Sequence, residues 1–332
     1  MPKLDTSYLG LPLRNPLVVS ACPLSEDIDT LRRLEDAGAA AAVFPSLFEE
    51  QIEHEELNQA WLHEFGTESF AESLTYLPEL DDYNVGPERY LRRLEEARRA
   101  VSIPVIGSLN GVSNGGWVRY ASSIQNAGAS ALELNVYAVA ADLDLTAAQV
   151  EEQYLELVAE VRSAITIPLA VKVAPFFSAF ANMARRLVDA GADGLVLFNR
   201  FVYPDIDLDA LQVVPRLVLS RSVESRLPLM WIALLRGRLA TSLAATSGVH
   251  GWDDVVKLLL AGADVTMTAS GLYQKGPEHL ATLLEGLRTW MAEREYESVE
   301  QLKGSMSQQH CPEPGAFERV NYMKTLTSYG RP

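Results

Sequence analysis

Residues 131–137 have the sequence Ala-Leu-Glu-Leu-Asn-Val-Tyr, with a polar side chain at every second position. The side chains of a β-strand alternate between two faces, so Glu133, Asn135 and Tyr137 share one face and the apolar residues between them share the other. We expect the apolar face to pack on helices. The segment therefore predicts a buried strand whose polar face points into the interior of a barrel, near one end.

Three other apolar segments also end on an amide or an ammonium group. They are Ile106–Asn110, Leu169–Lys172 and Leu195–Asn199. In a parallel α/β barrel the carboxyl ends of the strands meet at one rim, where ligand sites lie. An ammonium group facing the helices would lose its hydration without compensation. We therefore expect Lys172 to point inward beside Glu133 and Asn135, as part of a ligand site or, alternatively, as a structural ion pair with Glu133.

Strand-like runs alternate with segments of helical period along the chain, which is typical of repeated βα units. Eight strands are predicted, at Pro16–Ala21, Ala41–Ser46, Pro104–Asn110, Ala131–Tyr137, Pro168–Ala174, Gly194–Arg200, Thr241–Val249 and Ala263–Ser270. Helices with clear end signals are predicted at Asp27–Asp36, Glu88–Ala100, Val150–Ile165 and Asp253–Ala261. Eight units predict an α/β protein, a (β/α)8 TIM barrel that forms a single domain over residues 1–332.

Three stretches interrupt this alternation. Residues 47–87 form a long acidic and aromatic insertion after strand 2, a length that is usually functional or lid-like. Residues 203–227, which include the alternating run Leu217–Ser220, predict a small hairpin inserted after strand 6. Residues 296–332 form a C-terminal tail beyond the last barrel helix.

Charge and cysteine content exclude several classes of partner. Lys plus Arg number 28 against 44 Asp plus Glu, a formal net charge of −16, so most of the surface would repel nucleic acid. The longest apolar runs, near residues 37–43 and 227–235, are far shorter than the roughly 20 residues that a membrane span needs. Cys22 and Cys311 are the only cysteines and cannot form a disulfide framework. We expect a cytoplasmic protein with no membrane partner.

A metal site is not expected. His54, Glu55, His63 and Glu64 could in principle bind a metal, but they lack the His-Glu-x-x-His spacing of helical zinc sites.

Two short loops indicate a phosphorylated cofactor. Ser247-Gly248-Val249 follows strand 7, and Ala269-Ser270-Gly271 follows strand 8. In such barrels these two loops form the usual phosphate site from backbone N–H groups and helix N-termini. Either loop alone is a weak signal, and its weight comes from the combination with Lys172 and the asparagines at the strand ends.

The chain resembles the dihydroorotate dehydrogenases, flavin mononucleotide (FMN) barrels that oxidise dihydroorotate to orotate, and more closely a diverged subgroup called dihydroorotate dehydrogenase-like. The resemblance extends over nearly the whole chain. It is carried by Asn15-Pro16, Ser108-Leu109-Asn110-Gly111, Glu133-Leu134-Asn135, Ala170-Val171-Lys172, Asn199, Leu272 to Pro277, and Tyr296 to Gly304.

The resemblance implies roles for these positions. Lys172 would lie near the flavin ring, where an ammonium favours electron acceptance. Asn110 and Asn135 would contact the ring or the substrate, and Asn199 would hold the substrate or the flavin. The remaining cofactor contacts would come from Ala21, Ser46, Ser247, Gly248, Val249, Ala269 and Ser270. A homodimer and an electron-transfer protein partner are also implied.

Several positions depart from the family pattern. The family's catalytic Cys or Ser, three residues after the Asn of strand 4, is Ala138 here, and a substrate-binding Asn is Ala140. The flavin-contacting Lys at the end of strand 2 is Pro45. Ser247 and Ala269 replace glycines of the phosphate loops.

Three functions therefore stay open. The first is an FMN-dependent oxidoreductase acting on a CH–CH bond of dihydroorotate or a related small planar amide or acid, with Tyr137, or His250 in its place, as the acid or base. The second is a catalytically silent barrel that binds flavin or a metabolite and serves another enzyme. The third is a lyase that uses Lys172 as a Schiff-base nucleophile.

Overall fold

The computed structural model describes residues 1–48, 87–111, 117–200, 203–214 and 217–328. Nearly all of the predicted insertion at residues 47–87, including the four residues considered as metal ligands, lies outside this described part.

Eight parallel strands close into a barrel, which confirms the predicted TIM-barrel fold. The strands within the described residues are β1 (Thr6–Tyr8), β2 (Leu11–Leu13), β3 (Leu17–Val19), β4 (Ala41–Phe48), β5 (Val105–Asn110), β6 (Ala131–Asn135), β7 (Leu169–Val173), β8 (Gly194–Leu197), β9 (Asp205–Asp207), β10 (Gln212–Val214), β11 (Ser242–Ala245) and β12 (Val265–Thr268). Around the barrel the order is β3-β4-β5-β6-β7-β8-β11-β12, so each strand pairs with its sequence neighbour in the series.

The described helices alternate with these strands. They are α1 (Ile28–Asp36), α2 (Pro87–Ala100), α3 (Trp117–Asn126), α4 (Ala147–Ala164), α5 (Phe180–Asp189), α6 (Arg226–Leu235), α7 (Trp252–Ala261), α8 (Ser270–Lys275), α9 (His279–Glu293), α10 (Val299–Leu302) and α11 (Pro314–Ser328). Local signals fix several ends. The Asp27 carboxylate accepts the Thr30 N–H ahead of α1, Thr146 and Gln149 form a capping box at α4, and Gly262 ends α7 with φ +123°.

The barrel interior is filled from its amino-terminal end. The antiparallel pair β1–β2 buries Tyr8, Leu9 and Leu13 against interior side chains such as Ile106 and Val196. The Leu9 N–H donates to Ser242 Oγ at 3.0 Å, which ties the pair to the start of β11. Ligands must therefore approach from the opposite rim, where the carboxyl ends of the strands lie.

The predicted hairpin after β8 is present, but its strands differ from the alternating run that suggested it. β9 and β10 pair antiparallel, with Ile206 opposite Val213. The run Leu217–Ser220 forms no strand and lies against the barrel rim instead, where the Ser220 N–H donates to Ser270 Oγ at 3.1 Å. Burial does not alternate within the run, because Leu217 and Val218 are both exposed and only Ser220 is buried.

The segment after α9 packs beneath the barrel. The Val299 N–H donates to the Lys3 carbonyl at 2.9 Å, and Lys303 Nζ lies 2.9 Å from Asp264 Oδ1. Among the described residues, no helix combines the length and the hydropathy that crossing a bilayer requires.

Candidate active site

The register of three neighbouring strands brings polar side chains to one level of the rim. Asn110 on β5 pairs with Asn135 on β6, and Asn135 pairs with Lys172 on β7. Asn135 and Lys172 are buried, whereas Asn110 is half-buried. The strand ends singled out in the sequence therefore meet at one place.

Lys172 forms a buried ion pair inside the barrel. Its Nζ lies 3.2 Å from Glu133 Oε1, and the two side chains are 8% and 1% exposed. Glu133 Oε2 is buried and has no hydrogen-bond partner within the described chain. The contact with Glu133 fixes the position of the Lys172 side chain below the rim.

Asn199, just beyond β8, joins this cluster. Its Nδ2 donates to Asn135 Oδ1, and it lies 3.3 Å from the Val136 carbonyl and 3.5 Å from the Lys172 carbonyl. Because these acceptors belong to β6, β7 and the residue after β6, the Asn199 amide connects three strand ends.

A cavity of about 280 Å³ opens beside this cluster. Most of the predicted site residues line it, namely Ala21, Lys172, Asn199, Ser247, Gly248, Val249, Ala269 and Ser270. Cys22, Met267, Thr268 and Tyr273 complete part of the wall. One cavity thus combines the ammonium, one rim amide and both predicted phosphate loops.

Four predicted site residues do not line this cavity. Asn135 contacts it indirectly, through Asn199. Ser46 Oγ is 2.7 Å from Ser108 Oγ on the adjacent strand, where the two residues are paired in register. Asn110 and Tyr137 are half-buried further along the rim.

The phosphate loops bring backbone close to the cavity. Gly248 has φ +80°, and a Cβ added there would lie 2.3 Å from the Ser225 backbone nitrogen. A Cβ on Gly271 would lie 3.0 Å from the Val249 carbonyl oxygen. Position 248 therefore requires glycine, whereas a Cβ at position 271 would require the Val249 carbonyl to shift by a few tenths of an ångström.

Ser220 is a rim residue that the sequence did not reveal. Its Oγ accepts the Gly248 N–H at 3.3 Å and lies 3.2 Å from His250 Nε2. His250, considered in the sequence as an acid or base, is thus engaged by Ser220 and lies outside the lining of the cavity. The only signal for Ser220 was the alternating run, which indicated a strand.

A second, larger cavity of about 1070 Å³ adjoins the first. The two share the wall residues Phe198, Asn199, Arg200, Thr246 and Ser247. Together the cavities bracket the range of about 300–1,000 Å³ that is usual for small-molecule sites.

Ala138 and Ala140 line a third cavity of about 560 Å³, which shares Phe176 and Tyr203 with the larger cavity. Tyr154 also lines it and hydrogen-bonds to the Ala138 backbone; burial raises the pKa of Tyr154, and this hydrogen bond opposes the shift. The position where the family carries its Cys or Ser base therefore presents a methyl group.

Cys22 is the thiol in the wall of the smaller cavity. Burial raises its pKa to about 11, while hydrogen bonds from the Leu24 and Ser25 backbone and the charge of Lys172 act in the opposite direction. The thiol is therefore protonated at neutral pH and behaves as a small apolar wall group.

The closed parallel strands define a (β/α)8 barrel, and the polar cavity lies at the end where such barrels carry their ligand sites. The family model described as dihydroorotate dehydrogenase matches residues 80–291, more than half of the chain. The chain belongs to this family.

Individual relatives are similar at low identity. A protein of Aeropyrum pernix, provisionally named dihydroorotate dehydrogenase A (fumarate), is 29% identical over 227 residues, covering 67% of this chain and 73% of the relative. The dihydroorotate dehydrogenase B (NAD(+)) catalytic subunit of Thermoplasma acidophilum is 25% identical over 316 residues, covering 92% and 99%. The protein of the same name from Methanothermobacter thermautotrophicus is 23% identical over 319 residues, covering 91% and 97%.

Proposed function

We propose that the protein is an FMN-dependent oxidoreductase that oxidises a CH–CH bond of dihydroorotate or a related small planar amide or acid. The observation that carries this proposal is the single cavity that collects Lys172, Asn199 and both phosphate loops. Family membership supports the same class of reaction.

The residues of the cavity suit a flavin nucleotide. The phosphate would be held by the backbone N–H groups of Gly248, Val249 and Ala269 and by the Ser270 hydroxyl. A side chain on Gly248 would clash with the Ser225 backbone. Ser220 now contacts both Gly248 and Ser270, so a phosphate would compete with its hydrogen bonds. When bound, FMN supplies a two-electron acceptor.

The protein's own groups would orient the reaction. Lys172 would place positive charge beside the ring, held in position by Glu133. Asn199 and Asn135 would present amide groups to the ring or the substrate, with Asn110, Ser46 and Ala21 completing the site. Lys172 Nζ is buried and engaged by Glu133 at 3.2 Å, so it is not free to attack a carbonyl carbon, which weighs against the lyase function.

Proton transfer in the reaction requires an acid or base, for which we propose Tyr137. It adjoins Ala138, which cannot take a proton, and it follows Val136, whose N–H donates to the Lys172 carbonyl at 3.0 Å. The backbone of Tyr137 is thereby tied to the strand that carries Lys172. Tyr137→Phe should abolish most turnover and leave flavin binding unchanged, whereas full turnover would contradict this role.

A catalytically silent flavin- or metabolite-binding barrel is the second candidate, and Ala138 is the observation that favours it. In that case the protein would bind flavin without reducing it from a small donor.

The identity of the electron acceptor is proposed only from the names of the relatives. The names of the relatives mention NAD(+) and fumarate, and one group is named as catalytic subunits. We infer that the protein is a cytoplasmic homodimer. Its electrons would pass to an acceptor, which in one arrangement is a protein partner.

The test is the visible absorption spectrum of the purified protein, with the released ligand identified by mass and an anaerobic titration with dihydroorotate. Bound FMN that is bleached by dihydroorotate is the expected result. Bound FMN that no small donor reduces would favour the silent barrel. A colourless protein that refuses added FMN would overturn the proposal. Lys172→Met should weaken FMN binding, and exposed Lys3→Met is the matched control.

A further inference from the structure

Arg200 stands at the boundary between the two cavities. It directly follows Asn199 and belongs to the lining of both the smaller and the larger cavity. Its side chain is 29% exposed, so the guanidinium is held partly inside the wall.

The guanidinium of Arg200 retains hydrogen-bonding capacity. Its Nη1 is buried and has no hydrogen-bond partner among the described residues. Among the described residues, the nearest carboxylate oxygen is Glu224 Oε1 at 3.7 Å, which is within ion-pair range and beyond a hydrogen bond. A buried donor without an acceptor is costly, so a ligand acceptor at this place would be favoured.

Within the described part of the chain, three other cations line these cavities: Lys172 and Lys257 are each paired with a carboxylate, and Arg226 lines only the larger cavity, away from the shared wall. Lys172 Nζ is 3.2 Å from Glu133, and Lys257 Nζ is 2.6 Å from Asp253. In a chain of formal net charge −16, Arg200 is therefore a local positive group suited to an anion. Its planar fork matches a carboxylate.

The larger cavity beyond Arg200 offers apolar surface. Its lining includes Phe176, Val223, Leu227 and Met230, which are 64%, 57%, 41% and 42% exposed. A ligand with its carboxylate on Arg200 could place an apolar body against these side chains while its other end faces the smaller cavity.

We propose that Arg200 is the specificity-determining residue of the site, selecting substrates that carry a carboxylate and whose apolar part extends into the larger cavity. This inference rests on the proposed function, because it assigns the substrate class of the same site. Arg200 acts in binding and orientation, and no bond is made or broken at its guanidinium.

The test is calorimetric binding of paired probes, benzoate with benzamide and 3-phenylpropionate with 3-phenylpropanamide. The wild-type protein should bind each acid at least about tenfold more tightly than its neutral amide, as expected for a charge-assisted hydrogen bond. Arg200→Ala should remove that preference, and Arg200→Lys should retain part of it because charge remains without the fork. Exposed Arg185→Ala on α5 is the matched control and should retain it fully.

Two results would overturn the inference, namely no acid preference in the wild-type protein for either pair, or an unchanged preference in Arg200→Ala. If Arg200→Ala does not fold by circular dichroism, Arg200→Gln and Arg200→Lys decide by the same criterion. FMN titration of the same proteins separates this inference from the proposed function. If the protein binds FMN but Arg200→Ala keeps the acid preference, only the role of Arg200 is wrong. If the acid preference depends on Arg200 but the protein does not bind FMN, only the proposed function is wrong.

Discussion

At the scale of single residues, Lys172 and Glu133 depend on each other because both are almost completely buried. Lys172→Met would leave a buried carboxylate without its counter-ion, and we expect the free energy of unfolding to fall by about 3–5 kcal/mol. Adding Glu133→Gln removes the stranded charge, so the double variant should recover most of the loss. Urea unfolding of the wild-type, single and double variants measures this. A double variant no more stable than Lys172→Met would contradict the ion-pair explanation.

Cys22 predicts a loss of stability in alkali. Burial raises the pKa of its thiol from 9.0 to about 11, so the unfolded chain releases this proton at lower pH than the folded protein does. Stability from this group is therefore fully present below pH 9 and is lost as the pH rises toward 11, by about 2–3 kcal/mol in total.

Thermal unfolding of Cys22→Ala and wild type between pH 8 and pH 11 measures this contribution. The variant should lose stability less steeply with pH, although buried Tyr8 and Tyr90, whose pKa values are also raised, keep some slope in both proteins. Cys311→Ala, at a half-buried position, should follow the wild-type curve. Parallel curves for Cys22→Ala and wild type would refute the assignment.

At the scale of elements, the sequence predicted what local pattern controls. Each barrel strand appears where an apolar run was found, and the helices ending before Gly38 and Gly262 have the predicted limits within a residue. Strands buried on both faces are mostly apolar, and helix ends need capping residues. Both features are therefore visible as local sequence patterns within a few neighbouring residues.

The contacts that complete the site have no such local sequence pattern. Ser220 meets Gly248 across 28 residues and Ser270 across 50, so its place depends on how distant loops fold together. The sequence predicted Arg200 only as the last residue of a strand, because no sequence pattern indicates that an arginine side chain is partly buried. The sequence of the run that includes Ser220 does not distinguish a strand paired in a sheet from an unpaired extended segment on the rim.

The loop after β11 predicts a sharp response to one methyl group. Gly248→Ala combines a positive φ with a Cβ 2.3 Å from backbone, and we expect a loss of about 2–5 kcal/mol together with weaker FMN binding. Gly10→Ala is the matched control, because its φ is +73° but nothing lies within 4 Å of the added Cβ. It should cost about 1–2 kcal/mol. Chemical denaturation compares the two, and equal losses would show that the Ser225 backbone moves aside.

At the scale of the whole molecule, Asp264 joins the barrel to the segment packed beneath it. Its carboxylate lies 3.0 Å from Arg236 Nη1 and 2.9 Å from Lys303 Nζ, and it accepts the Leu243 N–H at 2.8 Å. Asp264→Asn would leave Lys303, only 5% exposed, without its buried counter-charge, and we expect a loss of about 3–5 kcal/mol.

Glu300→Gln is the matched control for this prediction. Glu300 contacts the same Lys303 Nζ at 2.6 Å, but its side chain is 56% exposed. Its removal should therefore cost less than about 1 kcal/mol. Guanidinium unfolding of both variants decides whether burial or the mere presence of a salt bridge controls stability here, and similar losses would favour the latter.

The wall shared by the two cavities connects events on its two sides. Phe198, Asn199 and Thr246 face both spaces, so a molecule that orders these side chains in one cavity alters the free energy of filling the other. Such coupling is reciprocal, and each occupant changes the affinity for its neighbour by the same factor. Whichever molecule binds first thus alters the shared wall for the second, and the affinities of the two cavities are linked through the side chains that line both.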